Sequence, residues 1–495
     1  VDSPTGTGKT AYLPWFFANS GSIVRVAIPT VVSVMSTYNF VKDKSNFSVG
    51  YAAGSDIQYS NDTRLIFGTT GHYVQKLLML INNNKLDEAK KLFGNIFVID
   101  EVHTATLDIT LLMGIYNYLF SNINDSVKPH ILLTTATLNY VYISPYFDNI
   151  EVYKVETINY PVDVKYLSVD YDIMRNSPDK FYGEIINAEG NQPGNIIIFR
   201  PGVQEVLSTV KYLETMFPRL PVYSIYSNMT QDEQNRVLEN PDTQKVIVGT
   251  NIIESSITIP NVRIVIDDLL EKTLQVSKSG NNKLALIYIS KSSADQRKGR
   301  TGRTMPGRCY RLCTRDFFEK LPEYNSIEID RVSIDKQILQ LLNSGLEPQS
   351  LLKIDDIKYQ TTINNLMRNN LISLESGKIE TTDLGIFVSK LTLSVRSSIL
   401  LSKIYIEFLT NPSDEFLQFL LLSGLAVCCM IDNFTDGYFN IPKKLESQTE
   451  SDYNDYVDDI RFKYHEKLRG RTDIHTFVNI YWDIIRKMTS SKNYN

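Results

Sequence analysis

The sequence SPTGTGKT at Ser3–Thr10 contains the residue types that bind a nucleotide phosphate. Gly6 and Gly8 allow backbone N–H groups to turn toward phosphate oxygens, and the Lys9 ammonium group can reach the β- and γ-phosphates. The Thr10 hydroxyl can bind Mg²⁺. GKT alone is a common string, but TGTGKT at the start of a helix is a specific signal. The predicted nucleotide contacts are Thr5, Gly6, Thr7, Gly8, Lys9 and Thr10.

A second motif, IDEVH at Ile99–His103, ends the apolar run Asn95–Asp100. Ligand sites of open α/β sheets lie at the carboxyl ends of the strands, where these carboxylates would emerge. Asp100 would hold Mg²⁺ through water, and Glu101 would orient and deprotonate the attacking water. Strands also end in acidic residues without any catalytic role, so this interpretation depends on the phosphate loop upstream.

A third motif, QRKGRTGR at Gln296–Arg303, has four cationic residues in eight. An arginine beside the transferred phosphoryl group can raise the rate roughly 10³–10⁵-fold, which corresponds to about 4–7 kcal/mol of barrier. We predict that Arg300 and Arg303, three residues apart on one helical face, complete the site from a second domain. The alternative is an exposed basic helix, which the interrupting glycines disfavour. A nucleotide site divided between two domains is typical of a motor.

The composition limits the class of protein. A chain of 495 residues is long enough for several domains, and its net charge of −5 argues against attraction of nucleic acid to the whole surface. The four cysteines form neither a CxxC pair nor a zinc-ligand pattern, which favours a reducing intracellular compartment, the cytoplasm or nucleus, or a virion or viral factory if the protein is viral. The longest apolar run, Phe419–Ile431, is too short for a membrane span and predicts a buried helix.

Short apolar runs that alternate with helical stretches must position these motifs. The runs in the first 150 residues are Val24–Pro29, Thr63–Thr70, Asn95–Asp100 and His130–Thr137. The pattern restarts with Asn195–Arg200, Val222–Tyr226, Lys245–Thr250 and Val262–Asp267. This alternation predicts two consecutive α/β domains, each with a parallel sheet covered on both faces, joined near Glu156–Val162.

The sequence becomes mainly helical after Tyr324. Val332–Leu346 has helical apolar spacing with Gly345 as C-cap, and Ile363–Leu371 predicts a second short helix before the hairpin-like Leu371–Thr382. Two helices and a β-wing suggest a winged-helix module. From about Thr392 the chain is predicted to be helical.

Taken together, these motifs resemble those of the superfamily 2 helicases over nearly the whole chain. The closest resemblance is to the DEAH-box branch and its relatives, including the poxviral nucleoside-triphosphatase helicases. Two departures are the DEVH spelling and a motif Ia that lacks paired arginines. Further matching segments are Ile28–Val34, Val49–Leu77, Thr135–Thr137, Asn195–Glu205, Gly249–Pro260 and Glu328–Leu346.

The resemblance implies four domains. RecA-like domains would occupy residues 1–155 and 156–324, a winged helix residues 325–391, and a helical, ratchet-like helicase-associated domain residues 392–495. It also implies that Gln296 positions the attacking water and contacts His103. The implied coupling residues are Thr135 and Thr137, and the implied nucleic-acid contacts are Thr30, Thr70, Gly71 and Thr250. Each of these threonines has the alternative role of a capping or loop residue.

Between the last two motifs, Thr273–Lys278 and Leu284–Ile289 alternate in polarity on either side of Ser279–Asn282. This pattern predicts a β-hairpin. In DEAH-like helicases a hairpin at this place blocks the duplex where its strands separate. The alternative is an ordinary surface hairpin.

The expected activity is that of an RNA helicase that uses ATP, or NTPs more broadly, with Mg²⁺ and moves along single-stranded RNA. A DNA helicase, or a remodeller that does not unwind, is an alternative with another substrate. A third hypothesis is a scaffold that binds NTP without turnover, but the intact Lys9, Glu101 and Gln296 argue against it. The sequence does not identify protein partners.

Overall fold

Two six-stranded sheets organise the computed structural model, and each sheet is the centre of one lobe. The structure describes all residues except 4–6, 55, 124–126, 156–159, 168–177, 190–191, 227–228, 230–235, 238–243, 256–258, 277–281, 376, 434–477, 480 and 484–495.

The first lobe surrounds a largely parallel sheet. Its elements are α1 (Tyr12–Asn19), β1 (Val24–Ile28), α2 (Val31–Lys42), β2 (Val49–Ala53), β3 (Asp56–Gln58), β4 (Leu65–Thr69), α3 (Thr70–Asn82), α4 (Leu86–Lys91), β5 (Ile96–Ile99), a 3₁₀ turn (Val102–Thr104), α5 (Leu107–Phe120), β6 (His130–Leu133) and α6 (Tyr140–Ile143). The strand order is β3-β2-β4-β1-β5-β6, with only the β2–β3 pair antiparallel. Strands β1 and β5 are buried throughout because helices cover both faces.

The second lobe repeats this architecture. Its elements are β7 (Val162–Tyr166), α7 (Pro178–Glu189), β8 (Asn195–Phe199), α8 (Val203–Met216), β9 (Val222–Ile225), β10 (Val246–Gly249), α9 (Ile252–Ser255), β11 (Val262–Asp267), β12 (Leu270–Val276), β13 (Asn282–Tyr288), α10 (Lys291–Lys298), β14 (Gly307–Arg311) and α11 (Arg315–Glu319). The strand order is β7-β14-β11-β8-β10-β9, and every pair is parallel.

Each of the eight apolar runs predicted as strands contains a strand of one of these sheets. The prediction of two consecutive α/β domains with parallel sheets is therefore confirmed. The predicted join near Glu156–Val162 lies mostly outside the described residues, except for its last part, where β7 begins.

The predicted hairpin is also present. Strands β12 and β13 pair antiparallel in register from Leu270↔Tyr288 to Val276↔Asn282. Strand β12 begins three residues before the predicted Thr273 and β13 two residues before the predicted Leu284. The connection at residues 277–281 lies outside the described part of the chain.

The later elements are α12 (Glu328–Arg331), α13 (Asp335–Asn343), α14 (Pro348–Leu352), α15 (Asp356–Arg368), β15 (Ile372–Glu375), β16 (Lys378–Thr381), α16 (Asp383–Lys390), α17 (Val395–Thr410) and α18 (Glu415–Asn433). Val1–Ser333 and Glu347–Asp355 form one compact unit, which contains both lobes, α12 and α14. Ile334–Leu346 and the chain from Asp356 form a second unit.

In the second unit, α13 lies within the predicted Val332–Leu346 helix and is followed by Gly345 at φ +68°, as a C-terminal cap requires. Helix α15 begins seven residues before the predicted Ile363 (Asp356 against Ile363). Strands β15 and β16 pair antiparallel within the predicted Leu371–Thr382 hairpin. Among the described residues, no single helix passes the length and hydropathy test for a membrane span, although the bent pair α16–α17 passes it jointly.

A buried arginine, Arg297, joins several elements of the second lobe. Arg297 is 1% exposed, and its guanidinium donates to Asp267 Oδ1 at 2.8 Å, Glu254 Oε2 at 3.1 Å and the Leu270 carbonyl at 3.2 Å. The group also lies 4.8 Å from the centre of the Phe199 ring. These contacts join α10 to the ends of β8, β11 and β12, so Arg297 has a structural role within the basic motif.

Replacing Arg297 should therefore destabilise the second lobe. Arg297→Met removes the cation between Asp267 and Glu254 and should lower the free energy of unfolding by about 3–5 kcal/mol, because buried carboxylates lose their partner. Urea unfolding of the full chain measures this change. Lys298→Met is the matched control, since the neighbouring Lys298 has a more exposed pair with Asp295 and should cost less than about 1 kcal/mol. Equal effects of the two substitutions would refute the structural role of Arg297.

Candidate nucleoside-triphosphate site

The described part of the phosphate loop, Thr7–Thr10, lies directly before α1. Gly8 has φ +84°, and an added Cβ would lie 2.6 Å from Tyr12 Cδ2, so both the backbone and the packing require glycine. The Lys9 ammonium group is buried and donates to the Ser3 carbonyl at 3.1 Å. The predicted contacts Thr5 and Gly6 lie outside the described residues.

Asp100 follows β5 at the carboxyl edge of the first sheet, as predicted. The Thr10 hydroxyl donates to Asp100 Oδ2 at 2.6 Å, and the Thr134 hydroxyl donates to Asp100 Oδ1. Burial, and next the neighbouring Glu101, raise the pKa of Asp100 to about 6, while the two hydroxyl donors and Lys9 oppose that rise. The motif therefore joins the phosphate loop directly.

Glu101 has a left-handed backbone conformation, with φ 55° and ψ 41°. Such a conformation costs a non-glycine residue roughly 1–2 kcal/mol and is concentrated at functional sites. One carboxylate oxygen lies 3.9 Å from Lys9 Nζ and the other 3.3 Å from His103 Nε2. Burial raises the pKa of Glu101, whereas Lys9 and Arg300 lower it and so favour the ionised carboxylate.

His103 links this carboxylate to the loop after β6. Its Nδ1 lies 3.4 Å from the Thr135 hydroxyl and 3.5 Å from the Ala136 backbone nitrogen. Burial, and next Lys9, lower the pKa of His103 to about 4, although Asp100 and a hydrogen bond with Gln296 act in the opposite direction. His103 is therefore neutral near pH 7, and Gln296 of the second lobe acts on its pKa.

Two side chains of α10 reach the first lobe at Thr137. The Thr137 hydroxyl accepts hydrogen bonds from Ser292 Oγ at 2.9 Å and from Gln296 Nε2 at 3.4 Å. The Thr137 carbonyl accepts from the Thr135 hydroxyl at 2.7 Å. The predicted coupling residues thus lie at the contact between the lobes.

Arg300 and Arg303 are near the site but not on one helical face. Helix α10 ends at Lys298, and both arginines lie in the following turns, where Gly302 has φ +78°. That part of the prediction is wrong, because the glycines that made the motif distinctive also end the helix. Burial, and next Arg303, lower the pKa of Arg300 to about 9, while Glu254 and Glu101 oppose that shift. Arg300 therefore lies within electrostatic range of Glu101 in the other lobe.

Arg303 forms a hydrogen bond within the second lobe. Its Nε donates to the Gly299 carbonyl at 3.0 Å, and burial lowers the pKa of its guanidinium.

The residues predicted to contact nucleic acid lie at other strand ends. Thr30 caps α2 by accepting from the Ser33 backbone N–H at 3.2 Å. Thr70 and Gly71 begin α3, and Thr250 follows β10. Thr70 and Thr250 are buried, whereas Thr30 is exposed. The structure thus brings these residues to the carboxyl edges of the sheets, apart from the phosphate loop.

Sequence reasoning missed Ser292 and Thr134. Ser292 lies four residues before Gln296, which places both side chains on one face of α10 and could have indicated a shared contact. Thr134 precedes the predicted coupling threonine Thr135, and only the sheet geometry shows that its hydroxyl turns back to Asp100.

A known domain and several known proteins are similar to this chain. Residues 178–305 match the helicase conserved C-terminal domain. The ATP-dependent RNA helicase HrpA of Borreliella burgdorferi is 29% identical over 501 residues, covering 98% of this chain and 56% of that protein. The probable ATP-dependent RNA helicase spindle-E of Culex quinquefasciatus is 28% identical, covering 82% of this chain and 33% of that protein. The chain thus spans little more than half of the first relative.

The crystal structure of the DEAH/RHA helicase HrpB of Escherichia coli has the same fold, with a TM-score of 0.72 at 18% identity. The superposition covers 95% of this chain and 58% of that chain. This chain therefore contains a helicase conserved C-terminal domain, has a fold like that of HrpB, and is similar in sequence to proteins named ATP-dependent RNA helicases.

Proposed function

We propose that this chain is the motor of an ATP-dependent RNA helicase, which couples NTP hydrolysis to movement along single-stranded RNA and to duplex separation. The observation that carries the proposal is the contact between the lobes, where Ser292 and Gln296 of α10 donate to the Thr137 hydroxyl, with Arg300 close enough to act on the pKa of Glu101. The relatives named as ATP-dependent RNA helicases support RNA as the substrate class.

In this proposal Glu101 is the general base. A base must be ionised to accept a proton, and Lys9 and Arg300 favour the ionised form against the effect of burial on its pKa. Neutral His103 contacts the Glu101 carboxylate at 3.3 Å and orients it. Gln296 then positions the attacking water from the second lobe, and Arg300 and Arg303 stabilise the negative charge that gathers on the transferred group.

Thr10 and Asp100 would hold Mg²⁺. Their oxygens lie 2.6 Å apart, and a hydroxyl with a carboxylate is the oxygen donor set that Mg²⁺ accepts beside nucleotide phosphates. When bound, Mg²⁺ neutralises charge on the phosphate oxygens. The Thr134 hydroxyl fixes the orientation of the Asp100 carboxylate from the side opposite Thr10.

Coupling to movement passes through Thr135 and Thr137 in this account. The first contacts His103 beside the catalytic carboxylate, and the second accepts from Ser292 and Gln296 of the other lobe. Opening of the lobes breaks these bonds, so nucleotide state and lobe spacing change together. Thr30, Thr70, Gly71 and Thr250 would contact the RNA backbone, which carries most of the affinity of helicases that read no sequence.

The remaining domain assignments are part of the proposal. The pair β15–β16 after α15 supports a winged helix within residues 325–391, and α17 and α18 support a helical domain from residue 392. The hairpin β12–β13 would act at the strand junction. The DEVH spelling supports kinship with poxviral helicases, and the cysteine pattern supports a reducing intracellular compartment.

A strand-displacement assay tests the proposal. We expect NTP-dependent separation of a tailed RNA duplex, with stronger stimulation of hydrolysis by RNA than by DNA. Duplexes with 3′ or 5′ tails, made of RNA or DNA, are compared at one salt concentration, because backbone binding weakens steeply with salt. Preference for DNA would favour a DNA helicase, and stimulated hydrolysis without displacement would favour a remodeller. Absence of any hydrolysis would favour a nucleotide-binding scaffold.

Removing the charge of Glu101 should separate binding from turnover. Glu101→Gln keeps the side-chain shape but cannot accept a proton, so kcat should fall about 10²–10⁴-fold while nucleotide binding persists. Phosphate release and binding of a fluorescent nucleotide measure the two effects. Glu88→Gln on the exposed α4 is the control and should change neither. Unchanged turnover in Glu101→Gln would exclude this residue as the base.

A further inference from the structure

The short helix α12 is hydrogen-bonded at its first residue to residues 101–107 of the first lobe. This segment contains Glu101 and His103 and is called the catalytic loop. The Glu328 backbone N–H donates to the Ala105 carbonyl at 3.1 Å, and the Glu328 carboxylate accepts from the Leu107 backbone N–H at 2.7 Å. Ala105 immediately follows the 3₁₀ turn that contains His103 and has a left-handed backbone with φ 45°. Leu107 is the first residue of α5, so the Glu328 carboxylate also caps that helix.

The last residue of α12 is bonded to the hairpin of the second lobe. Arg331 Nη1 donates to the Thr273 hydroxyl and to the Leu274 carbonyl, the latter at 2.9 Å. Thr273 and Leu274 pair with Ala285 and Leu284 in the middle of the hairpin ladder. A contact in the middle of the ladder fixes the direction of the two strands. A contact only at the Leu270–Tyr288 end would leave the rest of the ladder free to pivot.

Buried charged side chains connect Arg331 to the basic motif at Gln296–Arg303. Burial raises the pKa of Glu271 on β12, and Arg297 and then Arg331 lower it, so both cations act on this carboxylate. Arg297 in turn binds Glu254, whose charge acts on Arg300. Arg331 therefore belongs both to the path from Ala105 and to an electrostatic path from Arg300.

We propose that Arg331 is a positioning residue that, through α12, sets the hairpin according to the state of the catalytic loop. The inference rests on the proposed helicase function, because it assigns the hairpin to strand separation. Ala105 moves with His103 and Glu101 when the lobes close on nucleotide. In this proposal the four residues of α12 transmit that movement to Thr273 and Leu274, because hydrogen bonds at its two ends join the helix to both lobes.

The test uses the full chain and the variants Arg331→Ala, Arg331→Lys and Thr273→Val. Thr273→Val removes one acceptor and keeps a β-branched strand residue, and Arg331→Lys keeps the charge and one donor. Arg315→Ala, an exposed arginine on α11, is the control. A variant with residues 276–282 replaced by Asn-Gly gives the response expected when the hairpin is too short to act.

The first readout is hydrogen–deuterium exchange of residues 270–276 with and without ADP–aluminium fluoride. We expect the nucleotide to slow exchange in the wild type, and we expect Arg331→Ala to lose that response. An identical nucleotide response in Arg331→Ala would overturn the proposal. This readout needs no unwinding activity, so it decides the role of Arg331 even if the helicase function itself fails.

The second readout compares strand separation with hydrolysis. In Arg331→Ala, separation should slow about tenfold to a hundredfold, while RNA-stimulated kcat and the KM for RNA stay within about twofold of wild type. The variant with the shortened hairpin should separate strands as slowly as Arg331→Ala. Thr273→Val should separate them at an intermediate rate, and Arg331→Lys should be faster than Arg331→Ala. Unchanged separation would contradict the proposal, and so would a parallel fall in kcat, which indicates general damage to the lobe. If Arg331→Ala does not fold, Thr273→Val and Arg331→Lys decide by the same criteria.

Discussion

The proposed activity depends on a buried polar contact between the two lobes. Each lobe has its own largely parallel sheet and its own apolar core. The side chains that meet between them are polar: Thr137 on one side, and Ser292 and Gln296 on the other, with Glu101 and Arg300 near enough to act on each other's pKa. Burying such groups is costly unless each finds a partner. A contact of this kind can be broken and remade by a ligand, which an apolar interface of the same size would resist.

The basic motif shows how one short segment serves two purposes. Arg297 points into the second lobe and is matched by Asp267 and Glu254, which raises its own pKa. Arg300, three residues later, lies beyond the end of α10, and burial with Arg303 nearby lowers its pKa. The first arginine is therefore satisfied within the protein. The second is buried near the end of α10, where Glu254 and Glu101 act on its pKa against the effect of burial.

Local patterns were sufficient to predict the strands, the glycine turn at Gly8 and the position of the carboxylates that follow β5. Each depends on residues close together in the sequence: a buried run, a glycine turn, or a strand end. The positions of Arg300 and Arg303 could not be predicted in this way, because Gly299 ends the helix that the spacing implied. The bond from Arg331 to Thr273 spans 58 residues of sequence, so only the folded chain reveals it. The sequence predicted the hairpin correctly and gave no sign of what holds it.

The central claim is that the second lobe supplies cations to a triphosphate held by the first. The most direct measurement is an experimental structure of the chain with single-stranded RNA and ADP–aluminium fluoride, which mimics the transferred group. The account predicts a guanidinium nitrogen of Arg300 within about 3 Å of a fluoride, with Glu101 facing the water on the opposite side. A closed complex in which Arg300 and Arg303 both point away from the fluoride would contradict it.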